Sequence, residues 1–265
     1  MKMKIIAIAL MLLMISNGVV IASRLTNTKK DTKPINQESS NIESNDVLFR
    51  DDFEEFNTDW HIITEFTSFD IHHGMAQLTI WQAWRFMYFN VEMRAVEKFQ
   101  FNNLKMRTQI NNSWGRFDKF QEPKTGSYGF GFWNHVFNPL EIEYAWFFYS
   151  KSPNRFYGKN GLWAVCKAPY SQPNGGFTLI KIDGYKITDW HEYEIKWNKG
   201  SVDFLIDGNN VAHVTKGVPQ QVCHMHVWQD NAAWYGSSDG NIYYPKFLRI
   251  KHHNMAFIDY VEITE

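Results

Sequence analysis

Apolar and polar residues alternate along two neighbouring stretches in the last third of the chain. In the first stretch, 190–197, Tyr193, Ile195 and Trp197 alternate with charged residues, and in the second, 202–206, Val202, Phe204 and Ile206 share one face. Asn-Lys-Gly at 198–200 separates the stretches, and a second turn begins at Asp207-Gly208. Period-2 alternation around tight turns predicts an antiparallel hairpin with one face in a core. The predicted core side chains are Tyr193, Ile195, Trp197, Val202, Phe204 and Ile206.

The rest of the folded region is also predicted to form short strands, and no stretch carries a long helical stripe of apolar residues. Gly, Asn, Asp and Pro punctuate these strands, which is typical of a two-sheet antiparallel β-sandwich. The predicted strands are 48–53, 60–66, 69–72, 75–80, 85–89, 104–110, 126–133, 140–149, 161–166, 177–182, 190–197, 202–206, 211–214, 223–229, 247–250 and 257–264.

The N-terminus has the pattern of a secretory signal. Lys2 and Lys4 precede an apolar run at 5–15, and small residues follow at 20–22. We therefore predict a signal peptide at 1–22, with an uncleaved membrane anchor as the alternative. Residues 23–46 are polar and aperiodic, which predicts a disordered spacer before a single domain at 47–265. On either alternative the domain is secreted or displayed at the cell surface.

Charge and cysteine content narrow the classes of partner. The formal net charge of −1 gives no basic surface for nucleic acid, and it leaves the N-terminal segment as the only membrane contact we expect. Cys166 and Cys223 are the two cysteines of the chain. In an exported domain they predict one disulfide, with two buried thiols as the alternative.

Aromatic residues make up 17% of the chain, and their flat faces suit both a large core and stacking on sugar rings.

Several motifs resemble one superfamily of β-sandwiches. The hairpin sequence Trp-His-x-Tyr-x-Ile-x-Trp at 190–197, followed by Val-x-Phe-x-Ile-Asp-Gly at 202–208, is similar to the late strands of concanavalin A-like lectins and glucanases. The family 16 glycoside hydrolases are the most similar members. Residues 48–53 and 256–263 resemble the first and last strands of these folds, which lie side by side, and 129–134, 145–149 and 226–231 resemble central strands. The resemblance implies an all-β jelly-roll domain that acts on or binds carbohydrate.

The resemblance also implies where catalytic carboxylates belong. Retaining glycosidases need two carboxyl groups roughly 5–5.5 Å apart, and family 16 enzymes carry them on one strand as Glu-x-Asp-x-x-Glu or Glu-x-Asp-x-Glu. The comparable stretch here begins at Glu141, and Glu143 replaces the Asp. The position of the proton donor falls on Ala145 or Trp146, and neither side chain transfers a proton. We expect Glu141 and Glu143 to point together into the groove, without the orthodox hydrolytic mechanism.

A second group of polar and aromatic residues follows the strand near residue 228. His224, His226, Trp228 and Asp230 share one face of that strand, because alternate side chains point the same way. With Trp133 from a neighbouring strand they predict a sugar subsite, in which the rings stack and the polar groups form hydrogen bonds. A Zn²⁺ or Cu²⁺ site at the histidines is an alternative, although we predict no metal or cofactor. Structural calcium remains an open possibility at Asp51, Asp52 and Asp259.

Three functions follow from these observations. The first is an exported carbohydrate-binding domain whose partner is a polysaccharide or another glycan. The second is a family 16-like hydrolase of the β-glucan or galactan type that uses Glu141 and Glu143. The third is a structural protein of the cell surface.

Overall fold

The computed structural model describes residues 46–111, 123, 125–138, 140–152, 160–236, 242–250 and 253–265, with backbone alone at 111, 234–236 and 242–246. The predicted signal peptide and almost all of the predicted spacer lie outside these residues. In the described part of the chain, no helix is long and apolar enough to cross a membrane. Residues 46–265 form one compact unit.

Strands account for all the regular structure in the described ranges. In chain order they are β1 (Val47–Asp51), β2 (Trp60–Glu65), β3 (Ser68–Ile71), β4 (Ala76–Ile80), β5 (Asn90–Phe99), β6 (Asn103–Asn111), β7 (Gly126–Trp133), β8 (Tyr144–Lys151), β9 (Gly161–Ala168), β10 (Gly176–Ile182), β11 (His191–Trp197), β12 (Val202–Ile206), β13 (Asn209–Val214), β14 (Cys223–Asp230), β15 (Ala232–Gly236), β16 (Ile242–Phe247) and β17 (Asn254–Thr264).

These strands form two large antiparallel sheets, as the sequence predicts. The first sheet has the order β13-β12-β11-β6-β17-β4-β3, and β1 pairs with β17 beside this path. The second sheet has the order β10-β9-β8-β7-β14-β5-β2, and β15 and β16 form a separate pair. The pairing of β1 with β17 confirms that the first and last strands of the domain lie together.

The main core lies between the two sheets and includes the predicted hairpin. β11 and β12 pair with Tyr193 opposite Ile206 and Trp197 opposite Val202. All six side chains predicted to be in the core are buried. Trp197 is fully buried, and its indole N–H donates to the Pro219 carbonyl at 3.0 Å. The alternating pattern was therefore a sufficient guide to the face that this hairpin buries.

Three of the predicted strands differ from the structure. The strand predicted at 247–250 is wrong, because β16 ends at Phe247 and Ile250 forms only an isolated bridge to Ala83. The other two lie near the candidate site. Residues 85–89 are not a strand, and the strand of this region is β5, which begins at Asn90. The strand predicted at 140–149 begins only at Tyr144, because residues 140 and 141 form a turn. In this turn, the amides of Glu141 and Ile142 both donate to the Asn138 carbonyl at 2.9 Å. Both differences change the composition of the candidate site.

The predicted disulfide is wrong, and the alternative of two buried thiols is correct. Cys166 lies on β9 and Cys223 on β14, and both are free and buried. Two strands, β8 and β7, lie between them in the second sheet. Three inter-strand spacings separate the residues by about 14 Å, whereas a disulfide needs Cα atoms within about 7 Å. Burial raises the pKa of both thiols, which keeps them protonated.

Candidate functional site

The outer face of the second sheet carries a continuous group of aromatic rings. We call Trp133, Tyr144, Trp146, Phe148 and Trp228 the aromatic strip. The Tyr144 and Trp146 rings stack with centroids 3.8 Å apart, and Trp146 contacts Trp228 edge-on at 4.8 Å. Phe148 stacks on Trp228 at 6.2 Å, and Trp133 meets Trp146 at 5.7 Å. This second apolar cluster is separate from the core between the sheets.

A glycine allows Trp228 to lie flat across the sheet. Gly129 on β7 pairs with Trp228 on β14. A Cβ atom at Gly129 would lie 2.2 Å from the Trp228 ring, so any larger residue would displace the indole. Because Gly129 has no side chain, the Trp228 indole lies over it and contacts Trp146 and Phe148 of β8. Gly129 is thus a requirement of the aromatic strip rather than a turn residue.

Polar atoms in the aromatic strip and beside it lack hydrogen-bond partners. The indole N–H groups of Trp133 and Trp146 are buried and donate to nothing. His226 Nε2 is also buried without a partner. Buried polar groups in proteins are nearly always satisfied, so each of these atoms lacks a partner that an external group could supply.

Next to the aromatic strip, three side chains form what we call the histidine–glutamate cluster: Glu92, His135 and His226. His226 Nδ1 lies 2.7 Å from Glu92 Oε1, and the His135 ring stacks on the His226 ring at 5.4 Å. Trp133 contacts both imidazoles at 4.9 Å. His135 holds its position with a φ of 58°, a left-handed conformation that is uncommon for histidine.

Burial decides the protonation of the histidine–glutamate cluster. It lowers the pKa of His226 in spite of the hydrogen bond to Glu92, and with the charge of Arg94 it lowers the pKa of His135 to about 4. For Glu92, burial favours the neutral form, but the hydrogen bond from His226 and nearby charges outweigh it and the pKa is lowered. At neutral pH the cluster therefore contains one carboxylate and two neutral imidazoles. Because the carboxylate only accepts, His226 Nδ1 carries the proton and Nε2 keeps its lone pair.

The residues predicted on β14 divide into two groups. Trp228 belongs to the aromatic strip, as does Trp133 from β7. His226 belongs to the histidine–glutamate cluster and contacts the Trp133 ring. His224 Nδ1 instead bonds the Ala95 carbonyl at 2.9 Å. Asp230 accepts from the Ser127 hydroxyl at 2.5 Å and from the Ala232 amide at 2.9 Å. Asp230 is fully buried, and its bonds hold the end of the strand.

The expected joint placement of Glu141 and Glu143 is wrong. Glu141 is exposed in the turn before β8, while Glu143 is fully buried. Glu143 accepts from the amides of Gln220 at 2.5 Å and Gln221 at 3.0 Å, and from the Gln172 side chain at 2.7 Å. The turn at 140–141 breaks the alternation that would have put both carboxylates on one strand face. Glu143 ties two loops to the start of β8.

The outer-face positions of β8 belong to Tyr144, Trp146 and Phe148. Ala145, one of the two residues at the proton-donor position, belongs to the core between the sheets. Trp146, the other, is part of the aromatic strip. Along this strand the outer face thus presents aromatic rings and no carboxylate.

The three aspartates considered for calcium have other partners. Asp51 accepts from the Trp60 indole at 2.6 Å and from the Phe53 amide at 2.8 Å. Asp52 pairs with Arg50 at 2.7 Å, and Asp259 pairs with Arg107 at 2.8 Å. Calcium at this position stays a prediction without support from these contacts.

Glu92, His135, Tyr144 and Phe148 are site residues that the sequence reasoning missed. Glu92 was missed because the strand of this region was predicted at 85–89, whereas β5 begins at Asn90. Its signal was present in the alternation of Val91 and Met93 with Glu92 and Arg94. His135 follows β7 in an irregular segment, and no local pattern distinguishes it from other histidines.

Comparisons with known proteins agree on the fold. A family model of the glycosyl hydrolases family 16 matches residues 160–241. No curated protein matches the sequence. Among solved structures, the chain is similar to a Bacillus licheniformis beta-glucanase at 14% identity and a TM-score of 0.54, covering 84% of this chain and 100% of that one. It is also similar to the laminarinase catalytic domain from Thermotoga maritima at 10% identity and a TM-score of 0.55, covering 83% and 98%.

These matches and the two antiparallel sheets establish a concanavalin A-like jelly-roll sandwich that resembles family 16. At such low sequence identities the structural matches support the fold alone.

Proposed function

We propose that this domain binds a glycan on the outer face of its second sheet, through the aromatic strip and the polar atoms among its rings. Sugars present an apolar face of C–H groups and a rim of hydroxyls. Rings with unpartnered polar atoms between them suit both. The single observation that carries the proposal is the unpartnered state of the buried indole N–H groups of Trp133 and Trp146.

The partial exposure of the aromatic strip supports glycan binding at its more exposed rings. Trp146 and Trp228 keep 8% and 9% of their surface exposed, while Trp133 and Phe148 are half-buried. A glycan on the aromatic strip would cover the half-buried rings of Trp133 and Phe148. A small movement of the Trp133 and Trp146 rings would bring their indole N–H groups to the sugar hydroxyls.

We further propose that the orthodox two-carboxylate hydrolysis is absent. The outer face of β8 offers Tyr144, Trp146 and Phe148, and burial raises the pKa of the Tyr144 hydroxyl further from the neutral range. Glu143 is engaged by three N–H donors and Glu141 lies in an exposed turn. If hydrolysis of a β-glucan or galactan does occur and depends on Glu141, Glu141→Gln will abolish the release of reducing sugar.

A panel of immobilised polysaccharides tests the binding proposal. We expect the purified protein to be retained by at least one glycan. Trp133→Phe keeps an aromatic ring and removes the indole N–H, so it should weaken retention by a larger factor than it lowers the folded fraction. Trp81→Phe is the matched control, because Trp81 is exposed and its N–H bonds Ser68 outside the strip.

Two results would count against the proposal. One is that no glycan of the panel retains the wild-type protein at high protein concentration. The other is that Trp81→Phe weakens retention as much as Trp133→Phe does.

We also propose that the protein acts outside the cytoplasm, secreted or held at the cell surface. The basic and apolar N-terminus and the polar stretch after it support this location. N-terminal sequencing of the protein from its native host tests it. Removal of about the first 22 residues indicates secretion, whereas an intact N-terminus in the membrane fraction indicates an anchor.

A structural role at the cell surface is the second candidate. The segment after β4 exposes four large apolar side chains, which is typical of a surface that contacts another protein. They are Trp81, Trp84, Phe86 and Met87. Replacement of Phe86 by Ser should abolish partner binding if this role is correct, and it should leave glycan retention unchanged.

A further inference from the structure

We propose that the histidine–glutamate cluster binds a divalent transition-metal ion, with nitrogen ligands from His135 and His226 and the Glu92 carboxylate beside them. One possible ligand atom from each residue lies within 4.8 Å of the other two. In the described part of the chain, no other three His, Cys, Asp or Glu side chains come this close. The inference concerns a separate ligand and does not depend on glycan binding.

The unpartnered atoms are those that a metal ion needs. His226 is fully buried and its Nε2 has no hydrogen-bond partner. His135 is half-buried, and its Nδ1 atom is buried without a partner. A neutral imidazole with an open lone pair is the usual nitrogen ligand of Zn²⁺ and Cu²⁺. Two buried nitrogens without hydrogen-bond partners destabilise the fold when no ligand is bound, and an ion bound to them would remove this cost.

Glu92 occupies the place of a supporting carboxylate. It accepts from His226 Nδ1 at 2.7 Å, which leaves Nε2 as the free nitrogen. Carboxylates commonly fix the tautomer and orientation of metal-binding histidines in this way. Its negative charge also offsets part of the charge of a divalent ion in a buried position.

The geometry needs a small adjustment to close around an ion. Ligands at about 2.0–2.1 Å from a tetrahedral zinc ion lie roughly 3.4 Å apart. The ligand atoms of the three residues lie within 4.8 Å of one another, a wider spacing than this, so the side chains must move closer together to hold one ion. His135 lies in a non-strand segment, so its ring is the part that moves. With His135 and His226 as the ligands and Glu92 on His226 Nδ1, at least one coordination position stays open for water.

This set differs from the metal alternative considered for the sequence. Asp230 lies four residues beyond His226 on β14, about 13 Å away along the strand, so the two cannot share an ion. His224 is not among the three residues whose ligand atoms lie within 4.8 Å of one another. Glu92 and His135 take their places because the sheet brings β5 and the end of β7 to His226.

Zinc binding by the full-length protein without a histidine tag tests the inference. After treatment with a chelator, we expect one Zn²⁺ to bind per chain in competition with a chromophoric chelator. Glu92→Gln keeps the shape of the side chain and should weaken affinity about 10–100-fold. His135→Ala should weaken it at least as much, and His224→Ala is the control on the same strand that should leave affinity unchanged.

Adventitious binding and misfolding have separate controls. His72 and His73 are exposed with ring centroids 3.9 Å apart, so a double His72→Ala, His73→Ala variant reports binding at the surface. If a cluster variant fails to fold, Co²⁺ added to the wild-type protein gives a second readout. We expect the paramagnetic ion to broaden the NMR signal of the Trp133 indole N–H.

The inference is wrong if the wild type and His135→Ala bind Zn²⁺ equally. It is also wrong if binding disappears in the double surface variant, or if Co²⁺ leaves the Trp133 signal unchanged. Loss of zinc binding without loss of glycan retention would separate this inference from the proposed function.

Discussion

Replacement of Glu143 distinguishes a structural carboxylate from a catalytic one. Glu143 has no exposed surface, and its two oxygens accept three N–H groups from the loops before β10 and β14. In Glu143→Ala all three donors lose their acceptor. An unsatisfied buried donor costs about 1–3 kcal/mol. Because Gln221 is exposed, water replaces part of that loss.

The expected loss for Glu143→Ala is therefore about 2–5 kcal/mol of unfolding free energy. Glu143→Gln is the milder, matched change. Gln172 Oε1 is buried without a partner, so rotation of the Gln172 amide lets it accept from the new side chain. Three bonds then survive as neutral ones, and we expect a loss of about 1–2 kcal/mol.

Urea unfolding followed by tryptophan fluorescence measures both variants, with the slope m as a check on two-state behaviour. The reasoning fails if Glu143→Ala costs less than about 1 kcal/mol, the size of an ordinary surface substitution. It also fails if the two variants are equally unstable, because the neutral acceptor would then have no value.

Three further predictions concern the core, the aromatic strip and acid stability. Trp197→Ala should cost about 3–5 kcal/mol in the same unfolding assay, because it leaves a cavity between the sheets; a loss under about 1 kcal/mol would mean that the hairpin faces outwards. Gly129→Ala places a Cβ atom 2.2 Å from the Trp228 ring, so glycan retention should fall by a larger factor than the folded fraction does; equal retention would show that the position of Trp228 is irrelevant. Partial burial acts to raise the pKa of Asp207, but hydrogen bonds from the Glu192 amide and His191 outweigh it and the pKa is lowered. Asp207 thus contributes stability that is full above the unfolded pKa of about 3.9 and is lost as the pH falls through the folded pKa. Asp207→Asn should flatten the decline of stability below about pH 4, and an unchanged pH profile would contradict this.

The fold was predictable because its strands obey local rules. The alternation at Tyr193, Ile195 and Trp197 is uninterrupted, and a buried face needs only that pattern. The strand at 126–133 was also found with its observed ends, because glycines and aromatic residues bound it clearly. In such cases one strand contains all the information that its own placement requires.

The site was less predictable because it depends on loops and on neighbours distant in sequence. The turn at 140–141 forms through two amide hydrogen bonds to the Asn138 carbonyl. The Asn-Pro pair at 138–139 is a turn signal in the sequence, but it does not show how far the turn extends into the predicted strand. That turn removed Glu141 and Glu143 from a shared face. Glu92 and His226 meet across 134 positions of sequence. Sheet order brings them together, and sequence alternation gives no information about sheet order.

Indole N–H signals in an NMR titration test the central claim most directly. The chain has eleven tryptophans, and Trp→Phe variants assign their signals. When a retained oligosaccharide is added, the account predicts shifts of the Trp133 and Trp146 signals, with the Trp81 and Trp190 signals unchanged. If the shifts are confined to Trp81 and Trp190, or if no indole signal moves, the outer face of the second sheet is not the glycan site.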